Sequence, residues 1–283
     1  MKKKEFLRQI SSLHPEKDHL QIIRLNAYYD FPWDNTRALE FALFRTFAVA
    51  PIGHLLHKTG EFERRTQKRY DDTDLILSEI IENGYDSERG KKALELMNNM
   101  HNSKHIPNEL MLYVLSTFVI EPYKWNMRFG YRIITENEKT ALHKLWYEIG
   151  LRMGITGIPV TFNEMEQLYN SYEKERFHFS PGGRKVADAT INLMLGWYLP
   201  RFLWPLFRPY IVAIMDDHLR TTLNYKKPGI FVRNSLRTLM ALRKLWKRMM
   251  PVRNKPMLRT TRKTRTYPDG YSLDELGASG KSS

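Results

Sequence analysis

The chain is predicted to be all-α, a compact multi-helix bundle forming a single domain, and three features predict it. Strand signals are nearly absent, while apolar residues recur at the i, i+3, i+4, i+7 spacing that keeps one helix face inward. Two capping boxes, Thr135-Glu136-Asn137-Glu138 and Thr161-Phe162-Asn163-Glu164, mark helix starts. In each, the Thr hydroxyl and the Glu carboxylate satisfy amide donors that a first helical turn leaves exposed. Short breaks containing Gly and Pro separate the periodic segments, as between antiparallel neighbours in a bundle.

Taken in order, residues 1–20 read as an N-terminal segment, 21–250 as the helical domain and 251–283 as a basic, loosely ordered tail. Met1 to Arg8 are basic but lack the apolar stretch of a signal peptide. A charged loop, Lys68-Arg69-Tyr70-Asp71-Asp72, precedes a helix that begins near Asp72 and ends at Gly84. Ser87 caps the next helix, whose inward face carries Leu94, Met97 and His101. Pro107 and Asn108 separate it from an apolar helix over 109–120, which Pro122 closes. Behind the first capping box, Leu142, Leu145, Trp146, Ile149 and Met153 point inward; behind the second, Met165, Leu168, Tyr169 and Tyr172 do. Gly154 and Gly157-Ile158-Pro159 make the break between them.

The most apolar stretch, 191–215, is interrupted by Pro200, Arg201, Pro205, Arg208 and Pro209. It therefore never supplies the about 18 uninterrupted apolar residues of a spanning helix. It reads either as buried helices with a Pro-rich break or as a hairpin dipping into a membrane interface, where Trp197, Tyr198, Trp204 and Tyr210 would sit well. Residues 230–250 follow as a basic amphipathic helix, with Val232, Leu236, Leu239, Leu242, Trp246 and Met250 on one face. Arg233, Arg237, Lys244 and Arg248 occupy the other face, so the helix can lie on an anionic bilayer or pack on the bundle.

With 283 residues, 42% hydrophobic and 12% aromatic, the chain can bury a substantial core. Without cysteine it has no disulfide, zinc-thiolate site, iron–sulfur cluster or thiolate haem ligand. The net charge of +14 is local: residues 218–268 hold fifteen Lys or Arg and no Asp or Glu. A nucleic-acid enzyme would carry its basic groove through the main fold, so no nucleic acid is expected. A basic segment over 232–265 suits an anionic membrane surface, and the reading expects a cytoplasmic protein able to sit peripherally on a membrane.

His101 is the first candidate for chemistry, since an imidazole on an apolar face must be hydrogen-bonded or coordinate something. His105 lies one helical turn on, at metal-chelating spacing, but Pro107 follows closely. Glu175-Arg176-Phe177-His178 is a Glu-x-x-His of the kind found in di-iron carboxylate bundles, with Glu175 near the face of Leu168 and Tyr172. Its counterpart, Glu16 to His19, follows Pro15 in a polar segment, and the further ligand carboxylates are missing. Asp216, Asp217 and Arg220 form an ion-paired turn. No phosphate-binding glycine loop, Gly-x-Ser-x-Gly elbow or His-Glu-x-x-His is present.

Several blocks taken together resemble the MpaB-type and latex-clearing (rubber) oxygenase family. They are Phe44-Arg45-Thr46-Phe47, Thr59-Gly60-Glu61-Phe62, Lys68-Arg69-Tyr70-Asp71-Asp72-Thr73 and Met97-Asn98-Asn99-Met100-His101. Pro107 to Phe118, Glu121-Pro122-Tyr123-Lys124-Trp125, Phe129-Gly130-Tyr131-Arg132, Ile158-Pro159, Tyr172-Glu173, Asp216-Asp217-His218-Leu219-Arg220 and Gly270-Tyr271 continue the match. The resemblance implies an all-α fold and oxidative cleavage of carbon–carbon double bonds in isoprenoids. Members include a membrane-bound oxygenase of mycophenolic-acid synthesis and a bacterial rubber oxygenase. In the latter a b-type haem is held by a histidine on the helix after the one matching Met97 to His101. Here the corresponding residues 110–117 contain no histidine, which leaves His101, or a histidine elsewhere such as His143, for that role.

The resemblance thus implies an oxygenase-like oxidoreductase acting on an apolar, isoprenoid or lipid-like substrate, with haem b or non-haem iron bound by His101. Arg45 and Lys68 are then candidates for haem propionates or a substrate carboxylate, and Tyr70 or Asn98 for orienting bound oxygen. The alternative is a non-catalytic helical protein of the same fold that binds a lipid or a partner.

Overall fold

The computed structural model describes residues 1–277, and among them the chain folds into α-helices with no strand longer than an isolated bridge between Val49 and Phe177. The helices are α1 (Lys3–Ser12), α2 (His19–Arg24), α3 (Pro32–Phe47), α4 (Ala50–Thr59), α5 (Glu61–Arg64), α6 (Thr66–Asn83) and α7 (Glu88–Asn102). They continue as α8 (Asn108–Phe129), α9 (Glu136–Arg152), α10 (Phe162–Arg176), α11 (Pro181–Gly196), α12 (Trp204–Ile214), α13 (Asp217–Thr222) and α14 (Ile230–Met249). A π-helical turn over Leu25–Asp30 joins α2 to α3. Such turns are uncommon and cluster at functional sites. The predicted all-α class stands.

Both capping boxes form as the sequence requires: Thr135 and Thr161 accept from the amides of Glu138 and Glu164, whose carboxylates reach back. Ser87 caps α7 by accepting from Gly90 N–H. The central packing sets α3 against α8, α2 against α9, α10 against α8 and α4 against α11. Backbones approach closely where α11 meets α4 and the end of α3. A Cβ on Gly53 would lie 2.7 Å from Gly183 Cα, and one on Gly183 would lie 2.1 Å from the carbonyl oxygen of Phe47. Only glycine fits at either position.

Two expected boundaries and one expected helix face differ. The apolar helix does not stop at Pro122 but runs through it to Phe129. Proline in a helix interior costs roughly 3 kcal/mol; beyond it Trp125 packs on Phe41 and Phe129, with ring centroids 5.6 and 4.7 Å apart, and Glu121 and Asn126 are buried and bonded. Tertiary packing overrides the local breaker. Helix α6 begins at Thr66, so Lys68 to Asp72 lie within it and are not a solvated loop; Asp71 and Asp72 are buried. On α14 the inward stripe is Val232, Leu236 and Met240, with Arg243 reaching Asp34, whereas Leu239, Leu242, Leu245, Trp246 and Met249 face outward. The apolar face chosen from spacing is therefore divided between bundle and surface.

The ends of the chain join the bundle. Phe6 and Ile10 of α1 are fully buried, and Met1 exchanges backbone hydrogen bonds with Val252. Beyond α14, residues 252–277, expected to be loose, lie along α6 with little regular structure but many anchors. Val252, Leu273 and Leu276 are buried; Thr266 donates to Asp71, Tyr267 to Asp72 and Tyr271 to Glu79. Arg259 pairs with Asp74 at 3.1 Å, and Glu82 receives Thr260. A basic segment is ordered here by acids on a distant helix. Residues 278–283 of the expected tail lie outside the described residues.

Residues 191–215 form α11, a short break and α12, with Ile191, Met194 and Leu195 buried and Tyr198, Phe202 and Leu206 exposed. Among the described residues no helix is long and apolar enough to cross a membrane.

Candidate functional site

A cavity of about 90 Å³ lies between the π-helical turn, α3, α6, α8 and α9 and is bordered by Met257 and Arg259 of the C-terminal segment. Its walls are largely apolar, with Ile23, Leu39, Leu43 and Leu145 beside the stacked pair Phe118 and Trp146, whose ring centroids lie 4.7 Å apart. Ala27, in the π-helical turn, also borders it.

Two carboxylates, Glu40 and Asp74, break this apolar wall. Glu40 of α3 is only 4% exposed, and its Oε1 accepts from Arg37 at 2.6 Å and from the Tyr70 hydroxyl at 2.7 Å. Its Oε2 is buried and has no hydrogen-bond partner. Burial pushes this carboxyl up to about 7, against the opposing pull of Arg37 and of the Tyr70 hydrogen bond. Burial, with the charge of Glu40, likewise raises the Tyr70 phenol and keeps it a neutral donor. The second acid and base at the wall, Asp74 and Arg259, neutralise each other.

His101 sits on α7, half-buried, and its Nδ1 is buried with no hydrogen-bond partner. Burial first, and then the charge of nearby Arg69, lower its pKa to about 4, so at neutral pH the ring is uncharged and retains a lone pair. Arg69 itself stacks over Phe62, 5.8 Å from the ring centre, and makes no ion pair among the described residues. The helix ends at Asn102, and His105 adopts a left-handed φ of 49° beyond it. The two histidines are therefore not one turn apart on a helix, and the chelating spacing is lost.

The other expected residues are already engaged. The Arg45 guanidinium is surrounded by three carboxylates: Nε lies 2.7 Å from Glu121 Oε1, NH1 lies 2.8 Å from Glu173 Oε2, and NH2 contacts Asp216. The Nε contact is an ion pair whose geometry falls short of a hydrogen bond. Tyr169 donates to Glu121 and Tyr113 to Glu173, so this knot ties α3, α8 and α10 to the N-terminus of α13. Lys68 is held by both Asp72 oxygens, the Tyr267 hydroxyl and the carbonyls of Glu275 and Gly277. Asn98 donates to the carbonyl of Arg152, and His143 Nε2 lies 3.0 Å from the carbonyl of Pro159. Of Arg45, Lys68, Tyr70, Asn98 and His101, only Tyr70 lines the cavity.

The Glu-x-x-His on α10 also resolves differently from its spacing. Glu175 is exposed, α10 ends at Arg176 before His178, and the inward carboxylate is Glu173. Among the described residues no group of three or more His, Cys, Asp and Glu is placed to hold a metal ion.

Sequence reasoning missed Glu40 and Arg69. The signal for Glu40 was a single acid inside the apolar run Ala38-Leu39-Glu40-Phe41-Ala42-Leu43-Phe44, with Arg37 one turn before it. No local pattern marks Arg69, because its place beside His101 depends on the packing of α6 against α7.

The all-α bundle thus holds a largely apolar cavity and, apart from it, an uncharged histidine on α7. Residues 48–250 match the family described as ER-bound oxygenase mpaB/B′/Rubber oxygenase, catalytic domain, and the chain belongs to that family. It is 27% identical over 264 residues to the ER-bound oxygenase mpaB′ of Penicillium brevicompactum, covering 86% of this chain and 62% of that relative. It is 28% identical over 228 residues to the ER-bound oxygenase mpaB of Penicillium roqueforti, covering 74% of this chain and 76% of the relative. The resemblance read from the sequence blocks holds.

Proposed function

We propose that this chain is an oxygenase-type oxidoreductase acting on an apolar, isoprenoid or lipid-like substrate, with iron, as haem b or as a non-haem centre, held through His101. The observation that carries this reading is the buried, unpartnered Nδ1 of an uncharged His101 within the family's matched region. A neutral imidazole with a free nitrogen is the donor that iron takes. Bound iron would supply the activation of dioxygen. Arg69 stands beside His101 and makes no ion pair among the described residues, with Asp72 and Glu61 acting on it only from a distance, so it is a cation available to an acidic group of a cofactor or substrate. Arg45 and Lys68 have their partners within the protein, and their part is to fix α3, α6 and the C-terminal segment in place. Tyr70 and Asn98 keep a supporting role here: Tyr70 closes the cavity wall through Glu40, and Asn98 ties α7 to the end of α9.

Purification after growth with iron and a haem precursor, followed by an absorption spectrum and metal analysis, tests this reading. The expected result is a Soret band, or stoichiometric iron without one, that disappears in His101→Ala. Neither Soret band nor iron in the wild type would sink it and favour a cofactor-free lipid- or partner-binding protein of the same fold.

A peripheral position on an anionic membrane belongs to the same proposal. It is supported by the outward apolar row of α14, with Phe231 77% and Met249 71% exposed, and by exposed Phe202 and Leu206 nearby in sequence on the break and α12. Exposed Arg237 and Arg248 lie on the same helix. The two relatives are named ER-bound oxygenases.

A further inference from the structure

We propose that the cavity beside Glu40 is a ligand site for the end of a small apolar molecule bearing a neutral hydrogen-bond donor, such as an alcohol, with Glu40 Oε2 as the acceptor. This deepens the apolar-substrate part of the reading above but does not depend on iron, because Tyr70 lines the cavity and His101 does not.

A carboxylate in an apolar wall is retained against a large desolvation cost, and buried acceptors are nearly always met. Here the side chain divides its work. Oε1 receives both protein donors, Arg37 and Tyr70, while Oε2 remains buried and unmet. The carboxylate is held in place by these two bonds, so its free oxygen is positioned before a ligand arrives. Arg37 already balances the charge, and Arg259 is spent on Asp74. A cationic ligand would therefore be desolvated for little return, whereas a neutral hydroxyl completes the acceptor without adding charge. The volume of about 90 Å³ admits the end of a ligand and not the whole of a long one. The raised acidity range of Glu40 accords with the same apolar surroundings.

The arrangement predicts a polarity inversion. In Glu40→Gln the amide oxygen must stay where Arg37 and Tyr70 donate, which turns the amide NH2 toward the former Oε2 position. An acceptor becomes a donor in an otherwise unchanged cavity.

Binding of cyclopentanol and cyclopentanone, matched in shape but not in hydrogen bonding, is measured by ligand-observed NMR at a pH of about 8.5, where the carboxylate is charged. The wild type is expected to prefer cyclopentanol by at least about tenfold, and Glu40→Gln to level or reverse that preference. Ala27→Phe, which fills the cavity, is expected to lose both ligands. Equal binding of the two by the wild type, or no binding of either, overturns the proposal. So does retained binding in Ala27→Phe, or an unchanged preference in Glu40→Gln. If Glu40→Gln does not fold, the wild-type preference and the filled variant still decide. Because the readout is binding, a failure here leaves the iron reading standing, and the absence of a Soret band leaves this one.

Discussion

Glu40 and Arg45 lie on the same helix, are both buried and charged, and have opposite fates. Arg45 is overcompensated, one cation among Glu121, Glu173 and Asp216. Removing Arg45 would leave the buried carboxylates of Glu121 and Glu173 without their ion pair. Glu40 is undercompensated, with one oxygen idle, and burial leaves its carboxyl titrating at about 7 rather than near its ordinary 4.5. The native state therefore holds this proton more tightly than the unfolded chain does. The stabilisation that results is fully present below the unfolded value and is lost as pH rises through the folded one. Arg37 and Tyr70 contact the group, with Asp74 and Arg259 close by, so its titration is read as the difference between variant and wild type. Comparing Glu40→Gln with the wild type by denaturant unfolding, the free-energy gap should move by about 3 kcal/mol in the variant's favour between roughly pH 4 and pH 8. A gap independent of pH would place Glu40 in a more polar setting than its contacts indicate.

Helix α6 shows how one element distributes neighbouring residues among separate tasks. Lys68 and Asp72 face the C-terminal segment, Arg69 reaches toward His101, and Tyr70 faces the cavity. At 100° per residue, adjacent side chains cannot share a face, so a motif contiguous in sequence need not be one site in space. The same helix presents Asp71, Asp72, Asp74, Glu79 and Glu82, and the basic C-terminal segment is laid along them. This docking predicts a large effect of truncation. Deletion of residues 251–283 should lower the melting temperature by roughly 10 °C or more, because buried Asp71 loses both Thr266 donors to its Oδ2 and the apolar anchors Val252, Leu273 and Leu276 go with them. Tyr267→Phe, which takes the hydroxyl donor from Asp72 and the hydroxyl acceptor from Lys68, should cost about 1–3 kcal/mol by the same measurement. A truncated chain that melts with the full-length protein would refute the docking.

At the scale of the molecule, the uneven charge resolves into two parts. Arg259, Arg243 and Arg220 are met by Asp74, Asp34 and Asp217, whereas exposed Arg237 and Arg248 lie on α14 with its outward apolar row. For the proposed membrane position, sedimentation with vesicles gives a direct reading. Binding should increase with anionic lipid, weaken as salt rises from about 0.05 to 0.5 M, and fall sharply in the double variant Leu242→Ser, Trp246→Ser, whose side chains face outward. Binding indifferent to lipid charge and to those two residues would remove the electrostatic and apolar parts of that proposal.

The helical fold, both capping boxes, the Ser87 cap and the inward placement of Leu94 and Met97 could be read from the amino acids, because each depends on residues within a turn or two of each other. So could the family, since the order and spacing of many blocks is a property of the chain itself. What required the tertiary structure was every matter of partnership. Arg45 and Lys68 carry the right chemistry for binding an acidic ligand, but residues up to 209 positions away fill their hydrogen-bonding capacity. Helix α8 passes Pro122 because of rings on α3, and the C-terminal segment is ordered by acids on α6. Sequence patterns report which groups a residue offers; whether those groups are already satisfied is decided by segments that meet only when the chain folds. The bundle was written in local spacing, while Oε2 of Glu40 and Nδ1 of His101 were left free by the packing of the whole.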